Sequence, residues 1–299
     1  MKNDNLKILN NQEQEYKAAG SGRAQVTSTT DPGVFYDVAL SNAHIRRKTY
    51  ATVCFRTNSS YFSVARAYKR EQVGGGKRSG IKGFSKSSRR RLLYKIAGIR
   101  RDVDLPCFVT LTYPDNFPTV AAAKRDLKVF LQRLKYKFKD SSGIWKLEPQ
   151  ERGAPHYHCL VWGVREGELF DWVAYNWYDI AGNSDRNHLK FHLGLLPNSQ
   201  PCVAKVRSWR GVWAYASKYL GKTFEVAGWS NEWTGRFWGS WGQLPEGELV
   251  EMQIPDNVAI MSMRMQRRFA KLKKFSNIRV TTFCDANQWF SRIIIPFLE

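Results

Sequence analysis

Two hydrophobic periods alternate along this 299-residue chain, and the changes of period mark its elements. Cys107-Phe108-Val109-Thr110-Leu111-Thr112-Tyr113 is β-branched and aromatic and ends at Pro114-Asp115-Asn116, which predicts a buried strand and a turn. Val120, Ala123, Leu127, Phe130, Leu131, Leu134 and Phe138 then recur at three- and four-residue steps with Lys and Arg between them, the period of a helix. Ile144–Glu148 and His156–Trp162 read as short strands, and the loop 149–155 between them predicts an antiparallel hairpin. Phe170–Ile180 predicts a helix, Cys202–Trp209 a strand and Gly211–Lys222 a further helix. The order β-α-β-β-α-β-α is that of a ferredoxin-like (RRM-like) antiparallel sheet with helices on one face. The expected class is therefore α+β, with N- and C-terminal additions.

Those additions divide the rest of the chain. Residues 1–32, rich in Asn, Gln, Gly, Ser and Thr, are expected to form a mobile polar arm. Residues 33–104 form a basic N-terminal extension with β-like runs such as Ala51–Phe55, and 105–242 the regular domain. Residues 243–299 form a C-terminal extension whose end, Arg292–Phe297, reads as a final strand or docking segment.

Charge changes this picture. Lys and Arg number 47 against 26 Asp and Glu, a formal net charge of +21, which asks for a polyanionic partner. With 43% hydrophobic and 14% aromatic residues, the chain is not a disordered basic tail. From Lys69 to Arg101 there are twelve Lys or Arg against one acid, Glu71. Gly74-Gly75-Gly76 marks a loop there, and Arg89-Arg90-Arg91 leads into a helix through Ile96. A solvated basic surface is the plain reading; phosphate contact through Lys86, Arg89, Arg90 and Arg91 is the functional one. No run of eighteen apolar residues predicts a membrane span, and the polar first thirty residues lack a signal-peptide core. Five cysteines without a CxxC give neither a disulfide framework nor a cysteine zinc site, and reduced thiols in the cytoplasm are expected.

His156-Tyr157-His158 is the sharpest chemical feature. Alternate residues of a strand face the same way, so both imidazoles project from one side and suit a divalent metal. Glu148, on the preceding strand, would face them across the hairpin, with Lys146 as its neighbour on that face; Glu151, in the loop, is the weaker candidate. Tyr215-Ala216-Ser217-Lys218-Tyr219-Leu220-Gly221-Lys222 carries two Tyr-x-x-Lys patterns, so each like pair is four residues apart and shares a helix face. Phenols beside ammoniums are what attack on a phosphate needs, since a phenol is little ionised near neutrality.

Other features weigh less. Gly221-Lys222-Thr223 mimics the end of a P-loop, but Ala216 stands where a glycine is required. His188 and His192, four apart, would form a metal pair on a helix, yet the alternation of Leu189 and Phe191 reads better as a strand with a structural role. Trp229, Trp233, Trp238 and Trp241 crowd a stretch with Arg236, where stacking on unpaired bases competes with ordinary packing.

Taken together, Thr110-Leu111-Thr112-Tyr113, then Pro155-His156-Tyr157-His158 after Glu148, then Tyr215-x-x-Lys218-Tyr219 resemble the three motifs of HUH endonucleases. The closest resemblance is to rolling-circle replication initiators of small single-stranded DNA phages (gokushovirus-like) and related bacterial plasmids, over roughly residues 85–240. It implies a nickase and ligase on single-stranded or supercoiled origin DNA. By that resemblance His156, His158 and Glu148 would hold Mg²⁺ or Mn²⁺. Tyr215 and Tyr219 would act as alternating nucleophiles, and Lys218 and Lys222 would steady phosphate charge. A host helicase and DNA polymerase would do the rest, in the bacterial cytoplasm. An HUH transposase or relaxase is a second reading, disfavoured by the tyrosine pair and the long N-terminal extension. A non-catalytic basic DNA- or RNA-binding protein with an RRM-like sheet is a third; it predicts no dependence on the histidines or tyrosines.

Overall fold

The computed structural model describes residues 34–37, 46–69, 83–182, 184–216, 224–225, 235–269, 279–283 and 285–295. In chain order the first elements are β1 (Val34–Asp37), β2 (Arg46–Arg56), β3 (Tyr61–Lys69), β4 (Gly83–Phe84), α1 (Lys86–Ala97), β5 (Cys107–Thr112), α2 (Val120–Lys137), β6 (Ser142–Pro149) and β7 (Pro155–Trp162). They are followed by α3 (Glu166–Ala181), α4 (Arg186–His192), β8 (Val203–Lys205), α5 (Trp209–Tyr215), β9 (Phe224–Glu225), β10 (Trp238–Trp241), β11 (Leu249–Pro255), α6 (Asp256–Phe269), β12 (Arg279–Phe283) and α7 (Ala286–Ile293). The class is α+β, as expected.

The described residues fall into two units. A central unit takes in 78–93 and 103–244, and a terminal unit 1–77, 94–102 and 245–299. In the central unit the sheet order is β10-β6-β7-β5-β8, with every neighbouring pair antiparallel. The hairpin β6–β7 pairs Glu148 with His156 and Lys146 with His158, and β5 lies on the other side of β7. Side chains alternate between the two faces of this sheet. Val109, Leu111, Leu147, Tyr157 and Cys159 belong to one face and are buried. Trp177 of α3, fully buried, meets Tyr113, Phe130 of α2 and Tyr157 edge-on at 5.0, 5.8 and 6.3 Å.

Helix α2 forms where the period predicts it. The Thr119 side chain caps it by accepting from the Ala122 N–H, and Val120, Ala123, Leu127, Phe130 and Leu134 are its buried face. Gly143 is required by close approach: it pairs with Trp241 of β10, and a Cβ there would overlap the indole ring.

Three expectations are corrected. The strand expected at Cys202–Trp209 shrinks to Val203–Lys205, because Ser208 caps a helix by accepting from the Gly211 N–H. His188 and His192 lie on helix α4 rather than a strand; Asp185 accepts from the Asn187 N–H and starts it, and that cap outweighs the local alternation of Leu189 and Phe191. The start of Arg292–Phe297 belongs to α7, which Asp285 caps by accepting from the Gln288 N–H, and not to a strand.

The terminal unit is built from both ends of the chain. Its sheet runs β1-β12-β3-β2-β11, all antiparallel. Val53, Phe55, Phe62, Val64, Ile254 and Val280 form the buried face, covered by Val258, Ala259 and Met263 of α6 and by Trp289 and Phe290 of α7. Among the described residues no helix is long and apolar enough to cross a membrane. Cys54, Cys107, Cys159 and Cys202 carry free thiols.

Candidate active site

The second face of the central sheet carries the chemistry. By strand alternation Thr110 and Thr112 of β5, Lys146 and Glu148 of β6 and His156 and His158 of β7 share it. The His156 and His158 rings lie 4.5 Å apart, nearly perpendicular. Glu148 bridges two neighbours: Oε1 is 2.9 Å from His158 Nε2, and Oε2 accepts from Lys146 Nζ at 2.9 Å. Lys146 is completely buried, its ammonium 4.9 Å from the centre of the Phe84 ring. The Thr112 hydroxyl lies 3.1 Å from His156 Nδ1, and the Gln150 amide nitrogen 3.4 Å from it.

This environment sets protonation. Burial pushes the Glu148 carboxyl up, but the His158 hydrogen bond and the Lys146 charge outweigh it and bring the pKa down to about 2. Burial and the neighbouring His158 bring His156 down to about 3. An ionised carboxylate and a neutral imidazole are the forms in which such groups bind a cation. The donor set thus fits a divalent ion by its chemistry. Among the described residues no three His, Cys, Asp or Glu side chains already enclose one, and Glu148 would have to turn from His158 to join a metal.

Tyr215 lies at the end of α5, half-buried. Its ring stacks on Phe108 at 4.2 Å, and the other neighbour of Phe108 is His158, stacked at 5.3 Å. The structure therefore joins Tyr215 to the histidine face through one aromatic ring. Lys218, Tyr219 and Lys222 lie outside the described residues, as do the arm 1–32, the glycines 74–76, Trp229 and Trp233. Lys86 and Arg91 of α1 are exposed, and Arg89 and Arg90 half-buried; burial lowers the Arg89 pKa. Arg236 is exposed and its carbonyl accepts from Lys124 Nζ. Glu151 is exposed in the hairpin turn.

The site also holds residues that the motifs do not name. Lys146 is the counter-charge of Glu148, and strand alternation alone places it on that face. Phe108 gives no sequence signal, because any apolar residue at that position reads as core. Arg152 ties the hairpin loop to the end of β5: it donates to Asp115 Oδ1, to the carbonyls of Tyr113 and Pro114, and to Gln150 Oε1.

No curated protein and no solved structure gives a significant match to the chain. Residues 106–224, the segment from β5 through β9 that contains every strand and helix around His156, match a family model described as Replication-associated protein ORF2. Over that segment the chain is similar to replication-associated proteins, which supports a rolling-circle replication initiator.

Proposed function

We propose that the protein nicks single-stranded origin DNA through a tyrosine and rejoins the ends when replication terminates. The observation that carries this reading is the stack Tyr215–Phe108–His158, beside a carboxylate held on the same sheet face. His156, His158 and Glu148 would hold Mg²⁺ or Mn²⁺, which supplies Lewis-acid polarisation of the scissile phosphate. The phenol oxygen of Tyr215 or Tyr219 attacks phosphorus in line, loses its proton to solvent or a nearby base, and expels the 3′-oxygen. One P–O bond forms and one breaks, so the phosphodiester energy is kept in a 5′-phosphotyrosine link and resealing needs no nucleotide. The free 3′-OH primes a host polymerase. The second tyrosine would open the regenerated origin while the released 3′-OH attacks the first link. Lys218 and Lys222 would balance phosphate charge, and Lys86, Arg89, Arg90, Arg91 and Arg236 would contact the DNA backbone.

The test is an origin-bearing oligonucleotide incubated with Mn²⁺ and examined for a denaturant-resistant protein–DNA adduct. The adduct should vanish with chelator, with His156→Ala, and with Tyr215→Phe combined with Tyr219→Phe. Loss of the metal-binding imidazole should slow cleavage by about 10³-fold or more, several kcal/mol of transition-state stabilisation. An adduct that survives His156→Ala would leave the non-catalytic DNA-binding reading. Single tyrosine variants should retain partial nicking if the two alternate. Affinity should fall steeply with salt, because the segment 69–101 would release many counterions.

A further inference from the structure

A second pair of histidines lies in the central unit, away from the His156–His158 motif. Trp177 Nε1, His188 Nε2 and His192 Nε2 all point at one atom, the carbonyl oxygen of Thr112, at 2.7, 2.7 and 3.1 Å. The two Nε2 atoms are 3.1 Å apart, with the rings perpendicular. His188 and His192 are 4% and 1% exposed.

Hydrogen bonding accounts poorly for this convergence. A carbonyl oxygen has two lone pairs, and the indole N–H, which can only donate, takes one. If both imidazoles carry the proton on Nε2, two N–H groups crowd the remaining lone pair. If one ring accepts at Nε2, its proton moves to Nδ1. Neither the His188 nor the His192 Nδ1 has a hydrogen-bond partner among the described residues, so nothing on that side of either ring fixes the tautomer.

A cation resolves the crowding. Two imidazole nitrogens and a carbonyl oxygen spaced 2.7–3.1 Å apart have the separations of ligands around one small ion. A point about 2.1 Å from all three atoms exists about 1.2 Å off their plane, at ordinary zinc–ligand distances. Histidines four apart on a helix present both rings to one side. Burial pushes both imidazole pKa values down, that of His192 to about 4, which keeps the neutral, ligating form.

We propose that His188, His192 and the Thr112 carbonyl form a second cation site, for a borderline transition-metal ion of the Zn²⁺ class. Imidazole donors favour such an ion over Mg²⁺. The ion would pin α4 to the end of β5, whose Thr112 hydroxyl meets His156. Its role would be structural.

The experiment uses the full chain carrying His156→Ala and His158→Ala, so that the first site is silent and nicking is not the readout. After chelator stripping and dialysis against Zn²⁺, the protein should retain about one equivalent and melt several degrees higher. Adding His188→Gln and His192→Gln should abolish both effects. Absence of retained Zn²⁺, or retention unchanged by the added substitutions, would overturn the site. Should the added variant fail to fold, hydrogen exchange on the parent decides: Zn²⁺ should slow exchange in residues 107–112 and 186–192, and no slowing there refutes the proposal.

Discussion

The two units bury polar groups in opposite ways. Each packs one sheet face with apolar side chains against helices. On the second face of the terminal sheet the buried polar contacts include a neutral pair, Ser63 Oγ to Thr281 Oγ1 at 3.0 Å, joined by the Tyr94 hydroxyl at 3.3 Å. On the second face of the central sheet the buried groups are ionisable: Lys146, with Glu148 and His158 beside it. Neutral pairs satisfy their hydrogen bonds at little cost, whereas taking charges out of water costs several kcal/mol per ion before pairing recovers it. A fold accepts such a cost where the groups have chemistry to do. The contrast by itself marks the central sheet as the working surface.

The largest expected effect sharpens this contrast directly. Lys146→Ala removes the partner of a mostly buried carboxylate and should cost about 3–5 kcal/mol. The loss should appear as faster hydrogen exchange in 107–205 and not in 51–66. Lys146→Met combined with Glu148→Gln should recover most of the stability, because no charge is then left unpaired. If Lys146→Ala is neutral, the ionisable face is not under electrostatic strain and the comparison fails.

Acid should separate the units next. His156, His188 and His192 all have pKa values lowered by burial, to about 3 for His156 and about 4 for His192. Each is neutral when folded but takes up a proton below its ordinary value of 6.5 when unfolded. The unfolded state therefore binds more protons, and stability falls as pH drops from about 6.5 toward 4 and then 3. At pH 5 the fully buried His192 alone should cost about 2 kcal/mol, measured in chelator by denaturant unfolding. Glu148 runs later in the titration: its lowered pKa contributes stability above about 4.5 that is lost as pH falls toward 2. All four described histidines lie in 156–192, so segments 51–66 and 249–269 should keep their protection between pH 7 and 5.

Legibility in the sequence divided along physical lines. Short-range periodicity carried the central unit: the strand at 107, the helix at 120 and the hairpin around 150 were all readable, because their signals lie within one element or one turn. Strand alternation also placed Glu148 and Lys146 on the histidine face. The terminal sheet was not readable, because β2 pairs with β11 and β3 with β12 across some two hundred residues, and no local pattern specifies such a partner. Helix α4 was misread because a two-fold alternation over five residues is shorter than either period needs, while the Asp185 cap was overlooked. Phe108 looked like any core residue, since stacking between two rings is a property of the assembled sheet.

The smallest effect tests the other side of the comparison. Ser63 is 4% exposed and its hydroxyl meets Thr281, which also receives the Tyr94 hydroxyl. In Ser63→Ala the Thr281 hydroxyl keeps the Tyr94 contact, so no buried group is stranded. The cost should be about 0.5–1.5 kcal/mol, that of one neutral hydrogen bond, and should not change between pH 7 and 5. Nothing that titrates in this range takes part in the pair, so denaturant midpoints of the variant and parent should move together with pH. A loss as large as that of Lys146→Ala would mean that neutral and charged burial weigh equally in this chain. Charge placement would then no longer distinguish its catalytic face from its structural one.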